Sequence, residues 1–100
     1  MSTETTEFQA RFHAFVRGRV QGVGFRNYAL QTARRLGVRG WVRNRIGGSV
    51  EVVAEGHKTT LEAFLKALHR GPAMAYVTDV EVTWEPPQGE EGAFRVRGTV

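Results

Sequence analysis

The chain has 100 residues, 41% of them hydrophobic and 24% charged, which suits one soluble domain with a modest core and leaves no room for a second. No apolar run approaches membrane-spanning length and no signal-peptide pattern opens the sequence, so cytoplasmic residence without a membrane partner is expected; zero cysteines exclude disulfides, thiolate nucleophiles and cysteine-ligated metals. The net charge of +4, from twelve arginines and two lysines against ten acids, favours anionic partners and says nothing about fold.

Residues 1–10, rich in Thr and Glu, read as a flexible N-terminal segment, and residues 11–100 as the domain. From Arg11 the pattern alternates, with Phe12, Ala14, Val16, Gly18 and Val20 on one side and Arg11, His13, Phe15, Arg17 and Arg19 on the other, which predicts a half-buried first strand. His13 has no carboxylate or second histidine at useful spacing and reads as a surface residue. The same reading applies to most of the arginines, Arg11, Arg17, Arg34, Arg43 and Arg45 among them.

Between this strand and the next pattern lies Gly18-Arg19-Val20-Gln21-Gly22-Val23-Gly24-Phe25-Arg26. Gly22 and Gly24 allow positive φ, so successive amide N–H groups can converge on one point, and the helix that follows adds its free first-turn N–H groups and the positive end of its dipole. Arg26 contributes a planar, permanently charged fork. The stretch therefore reads either as an anion cradle or as a plain tight turn with Arg26 on the surface. It is neither a Walker loop nor a dinucleotide fingerprint, and Val20 stands where a cysteine-dependent phosphatase would carry its nucleophile, six residues before the arginine.

Phe25, Tyr28, Ala29, Ala33 and Leu36 recur at helical spacing, Arg34 and Arg35 fall in the last turn, and Gly37 stands where a left-handed C-cap belongs. Val38 to Arg45 and the run carrying Val50, Val52 and Val53 predict two antiparallel strands joined through Ile46-Gly47-Gly48-Ser49 and ended by Gly56. Thr59-Thr60-Leu61-Glu62 reads as a capping box opening a second helix with Leu61, Phe64, Leu65 and Leu68 on its apolar face, stopped by Gly71-Pro72. Tyr76, Thr78, Val80, Val82 and Trp84 alternate as one face of a fourth strand that Pro86-Pro87 ends, and Phe94 to Arg97 predicts a short final edge strand. The order is that of an α+β ferredoxin-like sandwich: βαββαβ with an additional short C-terminal strand, both helices packed on one face of an antiparallel sheet.

The inventory of reactive groups is sparse: no cysteine, a single aspartate, no His-Glu cluster, and no serine with a plausible histidine and acid partner. No metal, cofactor or covalent intermediate is expected. A phosphate site without nucleophile, metal or general acid suits a leaving group that departs unprotonated, such as a carboxylate.

Three motifs bear on identity: Gly18 to Arg26, then Gly40-Trp41-Val42-Arg43-Asn44, then Gly48-Ser49-Val50-Glu51-Val52-Val53-Ala54-Glu55-Gly56. In order and spacing, from about Phe12 to the C-terminus, the chain resembles the acylphosphatases, small enzymes that hydrolyse carboxylic-phosphoric anhydrides to carboxylate and inorganic phosphate. The resemblance implies that Arg26 binds the phosphate, that the backbone amides of Gln21, Gly22, Val23, Gly24 and Phe25 surround its oxygens, and that Asn44 positions the attacking water, with the substrate's own phosphate as proton acceptor. It implies a small-molecule acyl phosphate as substrate; a monomer is expected. Arg45-Ile46-Gly47 departs from the more usual Thr-containing continuation, which bears on the hairpin and the substrate rim, and the C-terminus lacks the aromatic often seen in relatives, which bears on local packing there.

Two other readings compete. A non-catalytic module binding phosphate or carbamoyl phosphate would use the same cradle, as in the acylphosphatase-like domain of hydrogenase-maturation carbamoyltransferases. An RNA-binding ferredoxin-like domain would suit the basic charge, but Val42-Arg43-Asn44 lacks the stacking aromatics of such sheets, so no nucleic-acid partner is expected.

Overall fold

The computed structural model describes residues 8–100. Seven elements follow one another: β1 (Gln9–Arg19), α1 (Phe25–Leu36), β2 (Arg39–Asn44), β3 (Val50–His57), α2 (Lys58–Arg70), β4 (Tyr76–Glu85) and β5 (Arg95–Val96). The strand order β4-β1-β3-β2-β5 places β1 and β3 at the centre, with antiparallel neighbours on either side. This is the expected α+β sandwich, except that β5 pairs parallel to β2, through Trp41–Arg95 and Val42–Val96. The first strand starts at Gln9, so Gln9 and Ala10 belong to the sheet and not to the N-terminal segment; residues 1–7 of that segment lie outside the described residues.

The core forms between the helices and one face of the sheet. Phe12, Ala14 and Val16 of β1 and Val50, Val52 and Ala54 of β3 supply the sheet side; Phe25, Ala29 and Ala33 of α1 and Leu61, Phe64 and Leu68 of α2 supply the helical side. Ala29 and Ala33 beside Phe25 make α1 a narrow, close-packed face, whereas α2 inserts larger groups, and the Phe64 ring meets Phe12 at a tilt and Phe94 edge-on. Each fully buried leucine or phenylalanine here contributes about 1.5–3 kcal/mol relative to exposure. α1 ends as its sequence predicts, at Gly37 with φ 75°, whose N–H closes on the carbonyls of Ala33 and Arg34.

Three local expectations are corrected. The Thr59–Glu62 capping box does not form: α2 begins at Lys58, immediately after β3, with His57 at the N-cap position and no side-chain cap. Thr59 therefore lies inside the first turn, because the abrupt strand-to-helix corner sets the start before the box can act. In β4, the register against β1 slips between Arg17 and Gly18, leaving Thr78 as an extra residue. Val77 consequently joins Val80 and Val82 against the core while Tyr76 is exposed, which breaks the simple alternation. Gly18 is required there: at φ 120° a β-carbon would collide with the Tyr76 carbonyl.

The third correction concerns charge. Arg11 is buried, not solvated, and its guanidinium bonds to Glu55 at 2.8 Å, Glu85 at 3.0 Å and Glu90 at 3.2 Å. Glu55, on β3, also accepts N–H bonds from Gln88, Gly89 and Glu90, so the loop after β4 is tied onto the outer face of the sheet. Burial alone would raise the Glu55 carboxyl; the Gln88 and Glu90 amides and the Arg11 guanidinium outweigh it and hold the pKa below its ordinary value. His13 likewise gains a carboxylate the sequence spacing hides, with Nε2 2.6 Å from Glu51 of the neighbouring strand. Among the described residues no helix is long and apolar enough to cross a membrane.

Candidate functional site

The site lies where β1, α1 and the end of β2 meet. After β1 the chain turns through Gly22 at φ 73° and Gly24 at φ 81°, both left-handed conformations that cost an L-residue with a side chain but not glycine. Gly24 is the N-cap of α1, and the first helical bond runs from the Tyr28 N–H to the Gly24 carbonyl at 3.0 Å. The N–H groups of Phe25, Arg26 and Asn27 thus precede the first intrahelical bond, no side chain caps them, and the first turn has no acidic residue. The positive end of the helix is left uncompensated by the chain itself.

These residues open onto a cleft of about 290 Å³ lined by Val20, Gly22, Gly24, Phe25, Arg26, Asn27, Leu30, Asn44 and Val96. Arg26 is exposed and has no hydrogen-bond or ion-pair partner among the described residues, so its charge faces the cleft unneutralised. Asn44 enters from the last position of β2. Its neighbours Arg43 and Arg45 both reach Glu51 Oε1, at 2.7 and 3.2 Å. Strand alternation sends Asn44 to the opposite face, alongside Val42. Of the buried side-chain polar atoms of the described residues, Asn44 Oδ1 alone lacks a hydrogen-bond partner. An unpartnered buried acceptor costs about 1–3 kcal/mol, which is the mark of an atom held ready for something that binds there.

Glu51 supports this arrangement from behind. Burial pushes its carboxyl up, but the bonds from Arg43 and His13 prevail and keep its pKa below the ordinary value. It is therefore a carboxylate at neutral pH, able to clamp the two arginines that flank Asn44. The C-terminus adds a second brace: Arg97 N–H donates to the Val42 carbonyl at 2.9 Å, Val100 N–H to Asn44 at 3.3 Å, and Ile46 N–H to Val100 at 2.8 Å. The final residues thus run along β2 as far as the turn.

Of the residues expected in the site, Gly22, Gly24, Phe25, Arg26 and Asn44 line one cleft. The side chains of Gln21 and Val23 lie away from it, Gln21 pointing to the β2–β3 turn and Val23 packing against the core, while the expectation for these two concerns their main-chain N–H groups. Asn27, Leu30 and Val96 are lining residues that sequence reasoning did not single out, and Val20, noted there only for standing in the place of a nucleophilic cysteine, lines the cleft too. Leu30 is one helical turn beyond Arg26, a signal present in the spacing; Val96 comes from the parallel β5, which no local pattern reveals.

The cleft carries one cation, two amide side chains, a set of main-chain N–H groups, an apolar wall and no carboxylate. Such a lining suits a phosphoryl dianion joined to an uncharged group. Comparison with known proteins agrees. The acylphosphatase family model matches residues 12–96. An acylphosphatase of Thermococcus kodakarensis is 52% identical over 90 residues, spanning 90% of this chain and 98% of that protein. The crystal structure of acylphosphatase from Bacillus subtilis superposes with a TM-score of 0.85 at 36% identity, over 88% of this chain and 98% of that one. The structure of T. kodakarensis HypF also superposes, with a TM-score of 0.78 and 32% identity, but over 12% of its length.

Proposed function

Because this chain belongs to the acylphosphatase family, we propose that its cleft hydrolyses acyl phosphates by direct attack of water on phosphorus, with Arg26 and the loop amides holding the phosphoryl group and Asn44 orienting the water. The single observation that carries the division of labour is the unpartnered Asn44 Oδ1, buried in the same cleft as an unpaired Arg26.

The chemistry follows from the groups present. Phosphoryl transfer proceeds through a loose transition state whose charge sits on the equatorial oxygens, so positioning and charge compensation supply most of the rate. Arg26 offers two parallel N–H donors to those oxygens, and the amides from Gly22 to Phe25 surround them. The water donates one O–H to Asn44 Oδ1, which aims its lone pair at phosphorus, in line with the bond to the acyl oxygen. As that P–O bond breaks, the carboxylate leaves with the bonding pair and needs no proton. The water's proton passes to a phosphoryl oxygen, giving carboxylate and dihydrogen phosphate or its conjugate base. Asn44 is neutral and takes no proton; no side chain in the lining needs to.

We read the protein as a cytoplasmic monomer without a nucleic-acid partner. The last of these is supported by the sheet face on which RNA-binding sandwiches stack bases: Trp41 is already covered by the guanidinium groups of Arg43 and Arg97, at 4.7 and 4.5 Å from its ring. The full-length match to free-standing acylphosphatases favours the enzyme over a binding module.

The test is hydrolysis of benzoyl phosphate in the presence of a strong chelator, beside an aryl phosphate monoester. Turnover of the anhydride alone, unaffected by chelator, is expected. Equal turnover of the monoester, or loss of activity with chelator, would overturn the reading; so would folded protein that binds inorganic phosphate but turns nothing over, which is the outcome a binding module gives.

A further inference from the structure

The Gln21 side chain spans 24 and 28 residues of sequence to donate from one nitrogen, Nε2, to the carbonyls of Arg45 at 2.7 Å and Ser49 at 2.8 Å. Those carbonyls sit at the two ends of the β2–β3 turn, which is closed on itself by Arg45 N–H to Ser49 at 2.9 Å and Gly48 N–H to Arg45 at 3.0 Å. The turn can therefore shut without Gln21. What the turn's own bonds do not supply is a fixed position relative to the phosphate-binding loop. Apart from the Ile46 N–H bond to the Val100 carbonyl, which ties the turn to the C-terminus and not to the loop, the outer part of the turn is open: Ile46 is 85% exposed, and Gly48, at φ 107°, would have no atom within 4 Å of a β-carbon.

Gln21 begins the loop that leads through Gly22 and Gly24 into α1, and Arg45 follows Asn44 directly. A carboxamide of this length is one of few side chains that place two N–H donors on a single nitrogen between two carbonyl oxygens. The pairing with two acceptors also settles which end of the amide faces the turn. We propose that Gln21 is a positioning residue, a strut that fixes the separation between the phosphoryl group held by the loop and the water held by Asn44. This rests on the reading of Asn44 given above. Such a strut acts on turnover and not on phosphate affinity, because the cradle amides and Arg26 sit on the loop side of it. Near-attack geometry is sensitive enough for the effect to be visible, since displacements of about 1 Å cost on the order of 100-fold in rate.

The experiment is a double-mutant cycle on benzoyl phosphate with Gln21→Glu and Asn44→Ala. Glutamate has the same length but only acceptors to offer, and it faces two carbonyl oxygens; Gln21→Met, neutral and without donors, serves if the glutamate variant does not fold. The expected result is a fall in kcat of about tenfold or more for either Gln21 variant, with inorganic phosphate inhibition unchanged within about twofold. In the Asn44→Ala background the same substitution should have no further effect on kcat. A full additional loss in that background would overturn the strut, since Gln21 would then act independently of Asn44. Phosphate affinity falling in step with kcat would overturn it too, by placing the effect on the cradle. If Asn44→Ala alone keeps normal kcat, the reading of Asn44 fails, whereas additivity with a large Asn44 effect sinks the strut alone.

Discussion

Arg26→Ala is expected to lose acyl phosphate turnover by about 1,000-fold or more and to lose inorganic-phosphate affinity with it. The cleft contains no other cationic side chain, and Arg26 is not shared with any carboxylate among the described residues, so nothing nearby can take over its charge. A factor of that size is about 4 kcal/mol of transition-state stabilisation, the scale of a charge-assisted, bidentate contact in a partly dry site. The fold should tolerate the change, because Arg26 is exposed in the first turn of α1 and packs against none of the core. Arg26→Lys keeps the charge but not the planar fork, and should recover only part of the loss. Steady-state kinetics combined with phosphate inhibition checks both statements. Retention of phosphate affinity in Arg26→Ala would show that the helix terminus and glycine amides bind the anion unaided.

Asn44→Ala should separate the two functions that Arg26→Ala removes together. Turnover is expected to fall by about 100- to 1,000-fold, while inorganic phosphate binds as in the wild type within about twofold. The difference follows from position: Asn44 arrives from β2, opposite the loop and helix that carry the phosphate donors, and its orphaned Oδ1 is an acceptor, which a phosphate oxygen does not need. Truncation also removes an unsatisfied buried polar atom. Thermal stability should therefore hold or rise slightly, a trade expected where strain is kept for function. Near-normal kcat in Asn44→Ala would break the water-orienting role.

Much of this was legible in the sequence because the signals were local. Gly22, Gly24 and Arg26 lie within five residues, and positive φ, helix dipole and guanidinium follow from their identities alone. The order of strands and helices followed from periodicity and punctuation, as Gly37 at the end of α1 illustrates. The role of Asn44 was different: its spacing from Arg26 says nothing, and only family resemblance pointed to it before the fold brought β2 beside the loop. The misses share a cause. Arg11 looked solvated because the carboxylates that bury it, Glu55, Glu85 and Glu90, are 44 to 79 residues away. His13 looked isolated because Glu51 reaches it across a strand pair, and Val77 looked outward because one bulge at Thr78 reversed the face. The Gln21 side chain is the clearest case, since no local pattern announces a bond to the far end of a hairpin.

The central claim, that water attacks phosphorus and not the carbonyl carbon, is tested most directly by running the hydrolysis of benzoyl phosphate in ¹⁸O-labelled water and analysing both products by mass spectrometry. Attack at phosphorus, with the carboxylate leaving intact, places the label in inorganic phosphate and none in benzoate. Label in benzoate would contradict the account, because it would mean that the cleft activates the carbonyl and that Asn44 aims its water elsewhere.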